Sequence, residues 1–284
     1  MMTPSKTLAI PLALFAAFML YWAFTYDDQY SKYVIFPAIL LGVIYVLSPQ
    51  LDWWWYQRFP PDVPAPIRAM LEERFEPYQR FSGMEKDLFR QKTAMFRMNI
   101  EFKGPAFDDK ISEDIQFIVA ANAVLLTRHK ASFLLPKFNV TVIYPGPFPS
   151  PQYPMDFHAS ELFEEDGVLI FSAQHLIKGF FEPTQYYNVG LHEWARGFVL
   201  SYPDLPWPAG ADSDWERLTQ VSGFQKDALF AYVNRPDVEL LPAAMVHFFH
   251  FPEAFREILP DYAALLERLF NQPGDRLPEA SDVL

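Results

Sequence analysis

The stretch NVGLHEWARGFVLSYPD, Asn188 to Asp204, decides how the rest of the chain is read. Its centre, His192-Glu193-Trp194-Ala195-Arg196, is one letter away from His-Glu-x-x-His. On a helix, residues i and i+4 share a face. The two histidines of that pattern therefore present their imidazoles to one Zn²⁺, and the glutamate between them serves as general base toward metal-bound water. His192 and Glu193 stand where this scheme needs them, and Arg196 stands in place of the second histidine. A guanidinium stays protonated, offers a metal no lone pair, and brings a positive charge to the place a cation would take. At an effective dielectric of about 20, two positive charges a few ångströms apart repel by several kcal/mol. Arg196 thus competes for the cavity as well as removing a ligand. Read by itself, HEWAR is also a helix with a buried histidine and a Glu193–Arg196 pair at i,i+3.

The 284-residue chain has no cysteine, so a disulfide framework and a thiolate zinc site are both excluded, and any metal must use His, Asp or Glu. Its formal net charge of -12 excludes the basic footprint of a nucleic-acid binder. Hydrophobic residues at 51% and aromatics at 17% exceed what a soluble domain needs, and the N-terminus accounts for the excess. An uncharged run covers residues 8–24, and a second, interrupted only by Pro37 and closed by Ser48, covers 33–48. Each is of membrane-spanning length. Trp53, Trp54, Trp55 and Tyr56 follow as an interfacial aromatic belt. A cleaved signal peptide over residues 1–24 is the alternative, but no small-x-small cleavage site precedes a polar mature start.

Lys6, Arg58 and Arg68 flank the hairpin on one side, while the short loop carries Asp27 and Asp28. The positive-inside tendency then places both termini and the main domain in the cytoplasm, at the inner membrane. The organisation expected is a membrane hairpin at 1–58, a proline-rich connector at 59–68, and one folded domain at 69–284.

Within that domain the patterning is helical with a few strands. Gly83–Met98 is amphipathic, and Ser112 caps a helix whose apolar face runs from Ile115 to Leu126. Asn139–Tyr144 and Val168–Ser172 are β-branched runs of strand length. Further helices are expected over 185–200, 214–232, 237–250 and 261–270. His129 and Lys130 follow a helix end as capping charges. The sum is an α+β domain.

Several segments, in order, resemble the Mlc titration factor A (MtfA-like) zinc-dependent peptidases, whose catalytic domain is related to that of anthrax lethal factor. They are VAANAVLL (Val119–Leu126), VTVIYP (Val140–Pro145), DGVLIFS (Asp166–Ser172), NVGLHEWAR (Asn188–Arg196), YVNRPDVELL (Tyr232–Leu241) and the tail Phe248–Phe270. The resemblance covers residues 75–271 and implies a zincin-like fold. It also implies His192 and Glu239 as zinc ligands, Glu193 as catalytic base and Tyr232 as an oxyanion-stabilising hydroxyl. Arg196 departs from the family pattern at the second ligand.

Two readings of the centre follow. In one, the chain is a pseudopeptidase without zinc, in which Arg196 fills the metal cavity and pairs with Glu193, Glu239 or both. In the other, zinc stays and a substitute ligand comes from Asp204, His247 or His250, giving a membrane-bound metallopeptidase. His247 and His250 lie about 12 and 16 Å along one helix from Glu239, which is too far for a shared ion. The resemblance implies a soluble regulator as protein partner, sequestered at the membrane. The hairpin also permits an accessory subunit of a larger membrane complex, with Trp53–Tyr56 and the loop 148–157 as contacts.

Overall fold

The computed structural model describes residues 3–106, 110–150, 152–236 and 238–271. The chain divides into two compact units, Met1–Pro61 and Asp62–Leu284. The far end of the second unit, 272–284, lies outside the described residues, as does Asp237, the expected start of a helix.

The first unit is a helical hairpin. Helix α1 (Pro4–Thr25) and helix α2 (Lys32–Arg58) are joined by a 3₁₀ turn, Asp28–Ser31. Both are long and apolar enough to cross a membrane. They extend beyond the uncharged runs because neither Pro11, Pro37 nor Pro49 ends its helix, and Trp53–Tyr56 form the last turns of α2. At the open end, Asp52 accepts from the Ser5 N–H at 2.7 Å and the Ser5 hydroxyl at 2.9 Å. A carboxylate from one helix thereby satisfies an orphan donor in the first turn of the other and meets the positive end of its dipole. Large apolar side chains, among them Leu14, Phe18, Phe24, Phe36 and Tyr45, point outward.

In the second unit, the proline-rich segment is only partly a connector. Pro66 sits in the first turn of helix α3 (Ala65–Arg74), where its missing N–H costs nothing. A short α4 (Glu76–Gln79) leads to α5 (Gly83–Met98), which opens with a capping box between Ser82 and Glu85. Strand β1 (Glu101–Lys103) and helix α6 (Glu113–Thr127) follow. Ser112 stands at the N-cap of α6, but its side chain makes no capping hydrogen bond. The C-terminal carbonyls beyond α6 are met by Lys92, whose Nζ donates to Arg128 O and Lys130 O, both at 2.7 Å. His129 is no capping charge: burial first, and then Arg128 beside it, press its pKa down to about 4, so the ring is neutral.

Strands β2 (Val140–Tyr144), β3 (Ser160–Phe163) and β4 (Val168–Ser172) complete a four-stranded mixed sheet of order β1-β2-β4-β3. β1, β2 and β4 are parallel, and β3 pairs antiparallel to β4 as an edge strand. Strands β1 and β3 were not expected from sequence, since three or four residues carry too little alternation to register.

Helix α7 (Ala173–Phe181) precedes α8 (Val189–Ser201), so the helix expected from residue 185 starts at 189 instead. Helices α9 (Asp214–Ser222) and α10 (Lys226–Val233) replace the single helix expected over 214–232. Gly223 in the left-handed region (φ 81°) ends the first of them. Helices α11 (Leu240–His250), α12 (Pro252–Ile258) and α13 (Pro260–Asn271) close the unit. Helix α8 is central, in contact with α6, α7, α11 and strand β3. The domain is mostly helical with a small mixed sheet.

Candidate functional site

The position of α8 is set at its N-cap. Asn188, fully buried, caps the helix by accepting from Leu191 N–H at 3.0 Å through Oδ1. Its Nδ2 donates to Asn122 Oδ1 of α6 at 3.0 Å and bonds His250 Nε2 of α11 at 3.1 Å. One side chain therefore ties together three helices and leaves none of its own polar atoms unpaired, which is the arrangement a buried amide requires. Two residues on, a Cβ at Gly190 would lie 2.5 Å from Leu176 and 2.7 Å from Asn122, so only glycine lets α6 and α7 approach this closely.

One turn later the motif residues face inward. His192 is 2% exposed, and its Nδ1 is hydrogen-bonded to the Tyr187 hydroxyl at 2.7 Å. Burial first, and then the carboxylates of Glu193 and Glu239, push the Tyr187 hydroxyl well above its ordinary pKa, so it stays protonated.

Glu193 is fully buried. Its Oε2 accepts from Arg196 Nη1 at 2.8 Å. Its Oε1 accepts from Ser160 Oγ of β3 at 2.8 Å and from Arg235 Nη1 at 3.0 Å. Burial alone would raise this carboxyl, but Arg196, Arg235 and His192 outweigh it and hold the pKa at about 2. Arg196 also reaches Glu239, the N-cap residue of α11, with Nε to Oε2 at 2.6 Å and Nη2 to Oε1 at 3.2 Å. This is a bidentate fork, the geometry a guanidinium is built for. Burial opposes the charge on Arg196, yet Glu193 and Glu239 raise its pKa above the ordinary arginine value. The two acids differ in setting: the Glu193 side chain is 0% exposed and that of Glu239 48%.

His192, Glu193, Arg196 and Glu239 are thus brought together. Tyr232 is placed differently. Its hydroxyl is buried without a hydrogen-bond partner among the described residues, and its ring meets His175 edge-on at 4.9 Å between centroids. Three residues at the centre carry no signal in the sequence: Tyr187 on His192, and Ser160 and Arg235 on Glu193. His247 and His250 are fully buried and committed to Ser222 and Asn188, while Asp204 lies exposed in the turn after α8. Among the described residues, no three His, Asp or Glu side chains are grouped as a metal would need. The donor set points the same way. A catalytic zinc takes three protein ligands, and here the third place holds a cation with both neighbouring carboxylates hydrogen-bonded to it. These side chains do not fit a zinc centre as they stand.

A family model described as glucose-regulated metallo-peptidase M90 matches residues 51–198, a span that ends just after Arg196. The chain is also 26% identical, over 114 residues, to an uncharacterized protein of Synechocystis sp.. That match covers 39% of this chain and 41% of the relative, so the chain spans about two fifths of the length of this curated relative.

Proposed function

The chain belongs to the glucose-regulated metallo-peptidase M90 family, and from that premise we propose that it is a catalytically silent, zincin-like member held at a membrane, where it acts by binding a protein. The observation that carries this reading is the Arg196 guanidinium bridging Glu193 and Glu239. In a zinc peptidase of this pattern, the first of these carboxylates moves a proton and the second holds the metal. Here both neutralise an arginine.

A buried, unpaired Glu193 would be costly, and removing a zinc without replacing its charge would leave that cost in place. A guanidinium in the same position supplies the charge and the hydrogen bonds permanently. This keeps the fold and the acidic residues while giving up the water-activating ion. A carboxylate held at a pKa of about 2 by two arginines is also a poor acceptor for a proton near neutral pH.

The rest of the reading rests on the hairpin and on the resemblance. Residues 1–58 anchor the chain in the inner membrane with Trp53–Tyr56 at the interface, and the domain over 69–284 lies on the cytoplasmic side. The bound partner is a soluble regulator, held at the membrane surface by a fold that no longer cuts. Zinc is not part of this function.

The test uses the full chain in detergent with added zinc and a general fluorescent protein substrate, beside Glu193→Gln. The reading expects no hydrolysis above background from either form. Zinc-dependent hydrolysis by the wild type that disappears in the Gln variant makes the chain an active membrane-bound peptidase and ends the proposal.

A further inference from the structure

Glu193 meets a second guanidinium that lies outside the motif. The Arg235 side chain is 3% exposed and sits in the turn between α10 and α11. Its Nη1 donates both to Glu193 Oε1 and to the Ser160 carbonyl, each at 3.0 Å. The two residues before it are tied to the same place. Asn234, in the left-handed region at φ 57°, donates from Nδ2 to Phe157 O at 3.0 Å, and Val233 O accepts from Ala159 N–H at 3.0 Å. Three successive residues, the last of α10 and the two that follow it, are therefore hydrogen-bonded to the segment 157–160 that leads into the edge strand β3. Ser160 adds its hydroxyl to the same carboxylate oxygen at 2.8 Å.

We infer that Arg235 is a second, independent clamp on Glu193, anchored to the edge of β3, that keeps the carboxylate turned toward that strand whatever residue occupies position 196. The two arginines grip different oxygens: Arg196 takes Oε2 and Arg235 takes Oε1. They also come from different elements, so losing one leaves the other in place. This inference rests on the silent-peptidase reading and adds a positioning residue to it. Returning a histidine to position 196 clears the place for a metal without releasing the would-be base.

The test is a thermal double-mutant cycle on the full chain in detergent, using R235Q in three backgrounds: wild type, E193Q and R196Q. A buried, hydrogen-bonded ion pair broken on one side predicts a Tm loss of about 10 °C for R235Q in the wild type. In E193Q the loss shrinks to roughly a third, because the partner charge is gone. In R196Q it is as large as in the wild type or larger. R235K, which keeps the charge, recovers at least half. An R235Q penalty unchanged by E193Q assigns the stabilisation by Arg235 to contacts other than Glu193, the Ser160 carbonyl among them, and overturns the clamp, and a penalty absent in R196Q overturns its independence.

Where R235Q gives no folded protein, a crystal structure of R196Q reads the same claim. Glu193 Oε1 still within hydrogen-bond reach of Arg235 and Ser160 supports the clamp, and a carboxylate turned away from β3 overturns it. None of these measurements reads zinc or hydrolysis, so the clamp and the silent-peptidase reading fail separately.

Discussion

Replacing Arg196 and replacing Glu239 remove the same two hydrogen bonds of the fork, yet the structure predicts very different costs. In Arg196→Gln, the arm to Glu193 is lost inside the fold. A charge-assisted hydrogen bond to a fully buried carboxylate contributes about 1.5–3 kcal/mol. Glu193 keeps Ser160 and Arg235, so the loss stops short of a bare buried charge. The arm to Glu239 adds less than about 1 kcal/mol, because that side chain is 48% exposed and water replaces the guanidinium. The sum is about 2–4 kcal/mol. For a domain of this size that is a fall in Tm of roughly 5–15 °C. Glu239→Gln loses only the exposed arm and should fall by less than about 4 °C. Thermal unfolding of the two variants, followed by tryptophan fluorescence in detergent, reads the contrast. Equal losses would refute the reasoning, since they would mean that the fork to Glu239, and not the contact with Glu193, stabilises the centre.

Acid should weaken the fold well above the carboxylate range. Burial holds His247 and His250 neutral, with pKa values lowered to about 4 and about 3. Between there and the unfolded value near 6.5, the unfolded chain binds more protons, so stability declines as pH falls from 6.5, by on the order of 3 kcal/mol for His247 and about 5 kcal/mol for His250 once both have titrated. A His247→Gln/His250→Gln variant should show a shallower fall in Tm between pH 7 and 4.5, and an unchanged slope contradicts this. Asn188→Ala removes a helix cap and strips Asn122 and His250 of a donor, for a loss of about 2–4 kcal/mol in denaturant unfolding. Ser82→Ala at the exposed cap of α5 should cost about 1 kcal/mol, and equal costs would show that the buried network adds nothing beyond the cap.

Where the sequence was readable, one local signal was enough. Helix α5 carries a capping box and an amphipathic face in adjacent residues, and α8 carries its site residues at i and i+4. The meeting of Arg196 with Glu239 was legible through the resemblance, which marks Glu239, together with a positive charge seeking partners. Tyr187, Ser160 and Arg235 were not readable because each reaches the centre from a turn or an edge strand, where sequence position does not tell which way a side chain turns. Arg235 follows Tyr232 by three residues, yet the arginine meets Glu193 while the tyrosine hydroxyl finds no partner among the described residues. Direction, not spacing, separates them, with the left-handed backbone of Asn234 between the two. His129 failed for a related reason, since the charge expected of it depends on exposure that packing removes.

The measurement that bears most directly on the centre is metal content of the full chain, purified in detergent with zinc present, beside Arg196→His. The account predicts no stoichiometric zinc in the wild type and about one ion per chain in the variant, because His192 and Glu239 then regain a third ligand. Zinc near one per chain in the wild type would contradict it, since the guanidinium between Glu193 and Glu239 would then not be standing where the metal goes.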